Sequence, residues 1–139
     1  MTERHARGVL DTSTVILLPR IVDARTLPLE PLITTVTLAE LSVGPLVASD
    51  ARERAARQAH LQQAEADFVP LPFDAAAARA FGRVAASLRR RGRKPAARSY
   101  DAMIAATALS NELPIYTANP SDFHGIDGLD VVAVDVPRG

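Results

Sequence analysis

Four acidic side chains stand where an α/β chain does its chemistry. Asp11 follows a short apolar stretch, residues 8–10. Glu40 falls in the first turn of a helix expected after the β-branched stretch 32–36. Asp101 lies two residues after Ser99, an expected helix start, and Asp122 lies five residues past Thr117, the end of another apolar stretch. Each has an ordinary structural role open to it. Glu40 can complete a capping box with Thr37. Asp101 and Asp122 can each face a helix dipole, worth about 0.3–1 kcal/mol, and Asp11 can be a simple turn residue. Taken together they point further. Carboxylates that converge at one edge repel, and desolvating like charges is expensive. A hard divalent cation, Mg²⁺ or Mn²⁺, prefers oxygen ligands and relieves that repulsion.

The elements that must position these acids alternate along the chain. Residues 8–10 read as a strand stopping at the polar turn Asp11-Thr12-Ser13, with the apolar run 14–18 behind it. Residues 32–36 read as a second strand. The Thr-x-x-Glu pattern at Thr37 and Glu40 predicts a helix starting there and ending near Gly44-Pro45 or just beyond. Asp50 opens a helix over 51–66. Residues 68–73 hold two prolines and suit an edge strand. Asp74 is an N-cap for a helix over 75 to about 91, with Phe81, Val84, Ala85 and Leu88 on one face. Ser99 caps a helix over 100–111, and residues 113–117 and 131–136 are the last strands. This alternation predicts an α/β fold with a mainly parallel sheet and helices on both faces. Ligands in such folds collect at the carboxyl ends of the strands. Asp11, Glu40 and Asp122 then share one edge. Asp101 joins them only if its helix starts there.

Composition narrows the classes. The 139 residues are 47% hydrophobic, enough for one domain with a core. Residues 8–136 are expected to form it, with 1–7 and 137–139 as tails. There is no cysteine, which excludes disulfides, thiolate metal sites and a cysteine nucleophile. No apolar run approaches the roughly 18–20 residues that span a bilayer, and the N-terminus does not read as a signal peptide. The expectation is a cytoplasmic protein. The formal net charge is zero, yet residues 75–100 carry +8 between flanks of −3 and −5. All but one of the 16 basic residues are arginine.

Four blocks occur in order: Val9-Leu10-Asp11-Thr12-Ser13; Thr37-Leu38-Ala39-Glu40-Leu41 with Gly44; residues 100–108 around Asp101; and Thr117-Ala118-Asn119-Pro120-Ser121-Asp122-Phe123. Over residues 8–136 the chain resembles the PIN-domain ribonuclease toxins of the VapC type, from bacterial toxin–antitoxin pairs. The resemblance implies a three-layer α/β/α sandwich with a short, mainly parallel sheet. It implies a metal-dependent endoribonuclease, Mg²⁺ or Mn²⁺ as cofactor, an inhibitory VapB-like antitoxin and a homodimer. It carries over Asp11, Glu40, Asp101 and Asp122 as the acidic quartet, with Asp11 and Asp101 touching metal most directly. Thr12, Ser13, Thr117 and Asn119 match the polar residues around that site. Two features depart from the pattern. Seven residues precede the first strand, and Pro120-Ser121 replaces basic residues before the last acid.

Hydrolysis by a water nucleophile leaves a 5′-phosphate and a 3′-hydroxyl. The alternative attack by the RNA 2′-hydroxyl needs general acids and bases such as histidine. The three histidines suit it poorly: His5 in an expected tail, His60 in a polar helix and His124 in a loop. Arg89, Arg90, Arg91, Arg93, Lys94 and Arg98 form a candidate RNA track, although a C-terminal arginine cluster also suits the helix dipole. Aromatic residues are 4% of the chain, too few for a broad base-stacking platform. Leu41, Val43, Leu46 and Val47 either line a groove for an antitoxin helix or are ordinary core. Two other readings stand beside the nuclease. One is a non-catalytic RNA- or partner-binding module of the same fold. The other is a phosphoacceptor domain, which wants a lysine at a strand end, whereas the single lysine, Lys94, lies in a basic loop.

Overall fold

A computed structural model describes residues 5–93 and 99–137. Lys94 and Arg98 of the expected RNA track lie outside the described residues. Four strands, β1 (Arg7–Leu10), β2 (Glu30–Leu32), β3 (Ile115–Thr117) and β4 (Val131–Ala133), form one sheet in the order β2-β1-β3-β4. Every pairing is parallel, with Val9 opposite both Leu32 and Ile115, and Tyr116 opposite Val132. The carboxyl ends of all four strands therefore point to one edge.

Strand side chains alternate between faces, and the two faces build two cores. Val9 and Ile115 point to one side, where they meet α4 (Ala75–Arg90) and α5 (Ser99–Ser110) through Ala80, Val84, Leu88 and Ala105, with Phe123 closing the layer. Leu10 and Tyr116 point to the other, against Val15 of α1 (Thr12–Leu17), Leu41 of α2 (Thr35–Leu46) and Ala64 of α3 (Ala51–Asp67). The result is the three-layer sandwich, and both faces being covered explains why the central strands are apolar throughout. Gly8 is needed where it stands. A Cβ there would lie 2.6 Å from the Tyr116 ring, which is buried across the sheet.

Several local expectations change. Residues 12–17 are helix, not strand or turn: Asp11 takes the N-cap position with an extended backbone. Strand β2 ends at Leu32, and α2 begins at Thr35 rather than Thr37. The reason is a better cap upstream, because the buried Thr34 hydroxyl accepts from the Thr37 backbone N–H at 3.2 Å. Thr37 thus lies inside the first turn, and no capping box forms with Glu40. Helix α2 runs through Gly44-Pro45 to Leu46. The stretch 68–73 contributes a single parallel bridge, Leu71 to Thr34, and Ser99 lies inside α5 rather than before it. The caps at Asp50 and Asp74 form as expected, each accepting from a backbone N–H three residues on. Strand β1 starts at Arg7, and the two residues before it already bond to the chain, since the His5 and Ala6 carbonyls accept from Leu29 and Glu30.

One turn decides where Asp101 lies. Helix α5 ends at Ser110, Glu112 adopts φ 55°, and the Leu113 N–H donates to the Ala108 carbonyl at 2.9 Å, a left-handed helix stop. The chain reverses at once into β3. Helix α5 therefore runs antiparallel to β3, and its twelve residues span about 18 Å. That brings its first turn, with Asp101, to the carboxyl edge of the sheet.

Candidate active site

Asp11 is the centre of the carboxyl edge and is 2% exposed. An aspartate at an N-cap ordinarily accepts from the backbone of the first turn, but this one does not. Its carboxylate accepts hydroxyls instead: Ser13 at 3.0 Å and Thr117 at 3.0 Å on Oδ2, and Thr14 on Oδ1. Thr14 is fully buried, and its hydroxyl also accepts from the Ala118 backbone N–H at 3.0 Å. Thr117 accepts in turn from the Asn119 N–H at 2.9 Å, and the Asn119 amide donates to Ser13 at 3.3 Å. The start of α1 and the end of β3 are thereby knitted around one carboxylate. No cationic side chain among the described residues pairs with it. A nearly buried carboxylate held only by neutral hydroxyls is costly.

Glu40 stands beside Asp11, one turn into α2. Thr12 donates to its Oε1 at 2.6 Å, and the Thr12 and Thr37 hydroxyls lie 3.0 Å apart. Thr12 has one hydroxyl proton, given to Glu40, so Thr37 is the donor to Thr12. Burial raises the Glu40 pKa above the ordinary glutamate range. The Thr12 hydrogen bond opposes this, and the charge of Asp11 adds to it. A cleft of about 280 Å³ opens next to Glu40, lined by Thr12, Ile16, Leu41, Gly44, Arg57 and His60. Arg57 is engaged there, donating to the Gly44 carbonyl at 2.9 Å and to Glu53.

Asp101 is half-buried in the first turn of α5. Asp122 is half-buried in a 3₁₀ turn, Pro120–Phe123, where its N–H donates to the Asn119 carbonyl at 3.0 Å. The four acids share the carboxyl edge, and Glu40 is near enough to Asp11 to feel its charge. Among the described residues, no three acidic or imidazole groups lie close enough together to hold an ion by themselves.

Sequence reasoning missed Thr14, Thr37 and His60. Thr14 opens an apolar run, and nothing in the sequence marks it until that run coils into α1. Thr37 reads as a cap until Thr34 takes that role. His60 reads as a solvated helix residue, whereas it faces the Glu40 cleft. His5 lies 3.4 Å from Asp130, and His124 is exposed.

The basic track is partly engaged. Arg90 pairs with Asp127 at 2.6 Å, and Arg91 lies 3.8 Å from the same carboxylate. Arg89 is exposed and Arg93 half-buried. In the apolar set, Leu41 is core, whereas Val43, Leu46 and Val47 are exposed, Leu46 by 85%. No helix among the described residues is long and apolar enough to cross a membrane.

The sequence matches the PIN domain over residues 9–129. The chain belongs to the PIN-domain family. It is 40% identical over 136 residues to ribonuclease VapC5 of Mycobacterium tuberculosis (strain ATCC 25618 / H37Rv), covering 96% of this chain and 98% of that protein. Among solved structures, this PIN domain superposes with TM-score 0.78 and 41% identity on a member of the VapBC family of toxin–antitoxin systems, VapBC-5 from M. tuberculosis, covering 94% of this chain and 99% of that one. Its likeness to DNA-bound VapBC from Salmonella typhimurium has a TM-score of 0.70 at 25% identity, covering 92% and 98%.

Proposed function

We propose that this PIN domain is a metal-dependent endoribonuclease toxin held inactive by a protein antitoxin. The observation that carries this is Asp11, a buried carboxylate at the strand edge with hydroxyl donors on both oxygens, no cation among the described residues beside it and a second carboxyl, Glu40, adjacent. The likeness to a protein named as a ribonuclease supports it. The donor set is carboxylate and hydroxyl oxygen, which fits Mg²⁺ or Mn²⁺ and not a soft metal. Asp11 and Asp101 would hold the ion, with Asp122 and Asn119 as the polar groups around it. Such an ion offsets charge on the phosphate and makes bound water more acidic.

The protein's own groups do the rest. Ser13, Thr14 and Thr117 fix the Asp11 carboxylate in one orientation. Thr12, itself ordered by Thr37, aims Glu40, which positions the attacking water. The water gives up a proton as its oxygen bonds to phosphorus, the bond to the 3′-oxygen breaks and that oxygen takes up a proton. The products are a 5′-phosphate and a 3′-hydroxyl. The arginines closing α4 guide the RNA backbone to the edge. The exposed strip Val43, Leu46 and Val47 seats an apolar antitoxin helix, in keeping with the VapBC complexes among its structural relatives. The cytoplasm, where RNA is translated, is the compartment this activity requires.

The test is cleavage of a structured RNA by purified protein with Mg²⁺ or Mn²⁺, with and without EDTA. Activity is expected to vanish with EDTA and to fall at least about 100-fold in Asp11→Asn and Asp101→Asn, more than the 10–100-fold typical of supporting residues. Cleavage that survives both sinks the proposal. A non-catalytic RNA-binding module is the second reading, favoured by the lack of a three-ligand cluster among the described residues. It predicts RNA retention without cleavage under every cation.

A further inference from the structure

Three consecutive arginines, Arg89, Arg90 and Arg91, stand at the end of α4, and two of them are held by the loop that follows the Asp122 turn. Arg90 donates to the Asp127 carboxylate at 2.6 Å and to the Ser87 hydroxyl at 3.3 Å. Arg91 lies 3.8 Å from the other Asp127 oxygen. Ser87 is 3% exposed, and its hydroxyl also accepts from the Asp127 backbone N–H at 3.4 Å. Gly125, at φ +89°, lets the loop close on this helix end, since a Cβ there would come within 2.9 Å of Arg91 Cγ. The loop is shaped around the two arginines, and Asp127 presents its carboxylate to both.

A guanidinium fork accepts carboxylate and phosphate oxygens by the same geometry. The side chains of Arg90, Arg91 and Asp127 are each about 60% exposed, and such surface pairs contribute about 0–1 kcal/mol. Replacing the carboxylate by a phosphate therefore costs little. The site of exchange lies on the loop that follows the Asp122 turn. Asp127 is five residues from Asp122, at most about 18 Å of chain.

We infer that Asp127 is an internal competitor for RNA phosphate. It keeps Arg90 and Arg91 ordered and lowers the affinity of the α4 end for an RNA backbone until a phosphate takes its place. The inference rests on the RNA-cleaving reading for its ligand, but binding can be measured apart from cleavage.

The test is binding of a labelled single-stranded RNA oligonucleotide in EDTA over a range of salt, for the full chain and Asp127→Asn. The variant is isosteric and keeps its backbone bond to Ser87. It is expected to bind roughly 3–10-fold tighter at low salt, with a log–log salt slope steeper by about 0.7 for each additional phosphate neutralised. The gain is expected to disappear when Arg90→Ala and Arg91→Ala are added. Unchanged affinity in Asp127→Asn overturns the inference. So does a gain that persists without the two arginines, or no RNA binding by either protein. Cleavage with Mg²⁺ or Mn²⁺ reports separately. Cleavage without an Asp127 effect leaves the nuclease reading standing and removes this one.

Discussion

Thr14 is the residue on which the Asp11 carboxylate depends most. Its hydroxyl donates to Asp11 in the interior and accepts from the half-buried Ala118 N–H. Thr14→Val strands both partners, at roughly 1–3 kcal/mol for each unsatisfied group. A denaturation midpoint well below wild type is expected, with cleavage reduced about 10–100-fold. Thr14→Ser is expected to restore both, since it keeps the hydroxyl. Glu40 makes a pH prediction. Its proton is held more tightly in the fold than in the unfolded chain, so the native state carries the excess of bound protons as Glu40 titrates. Its contribution to stability is therefore best at low pH and declines as pH rises from the ordinary glutamate range through the elevated value. Glu40→Gln removes that decline. Its Tm is expected to match wild type near pH 4 and to exceed it by a few degrees at pH 7. Added Mg²⁺ closes the gap if an ion is held there. At this scale the acids were legible because strand ends and helix starts flag them. The hydroxyls that orient them were not, because a threonine in an apolar run carries no mark of what it will face.

Helix α2 shows why element boundaries were harder to read than elements. Thr34-Thr35-Val36-Thr37 is β-branched, so strand propensity carries the sequence reading through Val36. Yet two threonines three residues apart both offer a cap, and burial of Thr34 selects the earlier one. That choice frees Glu40 from capping and turns it toward Thr12. Thr34→Ala is expected to cost about 1 kcal/mol and to speed amide exchange at Thr37. Glu40→Gln should leave exchange at residues 35–38 unchanged, a contrast that a capping box does not allow. Helix α1 was missed for a related reason. Val15, Ile16 and Leu17 are an apolar run with no helical signature of its own, and in the fold Val15 packs in one core with Leu10 and Tyr116. The long, well-capped helices α3 and α4 were read within a residue or so, because their caps and periodicity agree.

At the scale of the whole molecule, charge and apolar surface are segregated. The basic end of α4 packs against the loop after Asp122, while Val43, Leu46 and Val47 project from the far end of α2. The two surfaces are separable by mutation. Leu46→Asp, at a position 85% exposed, is expected to change stability by no more than about 0.5 kcal/mol and to leave RNA cleavage intact. It should weaken capture of the antitoxin by at least tenfold, read by titration calorimetry. The α/β class and the parallel sheet were legible because the alternation of elements allows few topologies. Which helix ends meet at the edge was not, because that depends on the turn at Glu112.

The bond from Thr117 to Asp11 joins residues 106 apart, and β1 sits between β2 and β3. A ribosome releases Asp11 early, but the wall that orients it arrives only with β3, when most of the polypeptide has been made. A growing chain of this kind carries its most dangerous side chain for nearly the whole of translation without being able to use it. Such distant pairing folds slowly, so the carboxylate is oriented only at the end of synthesis.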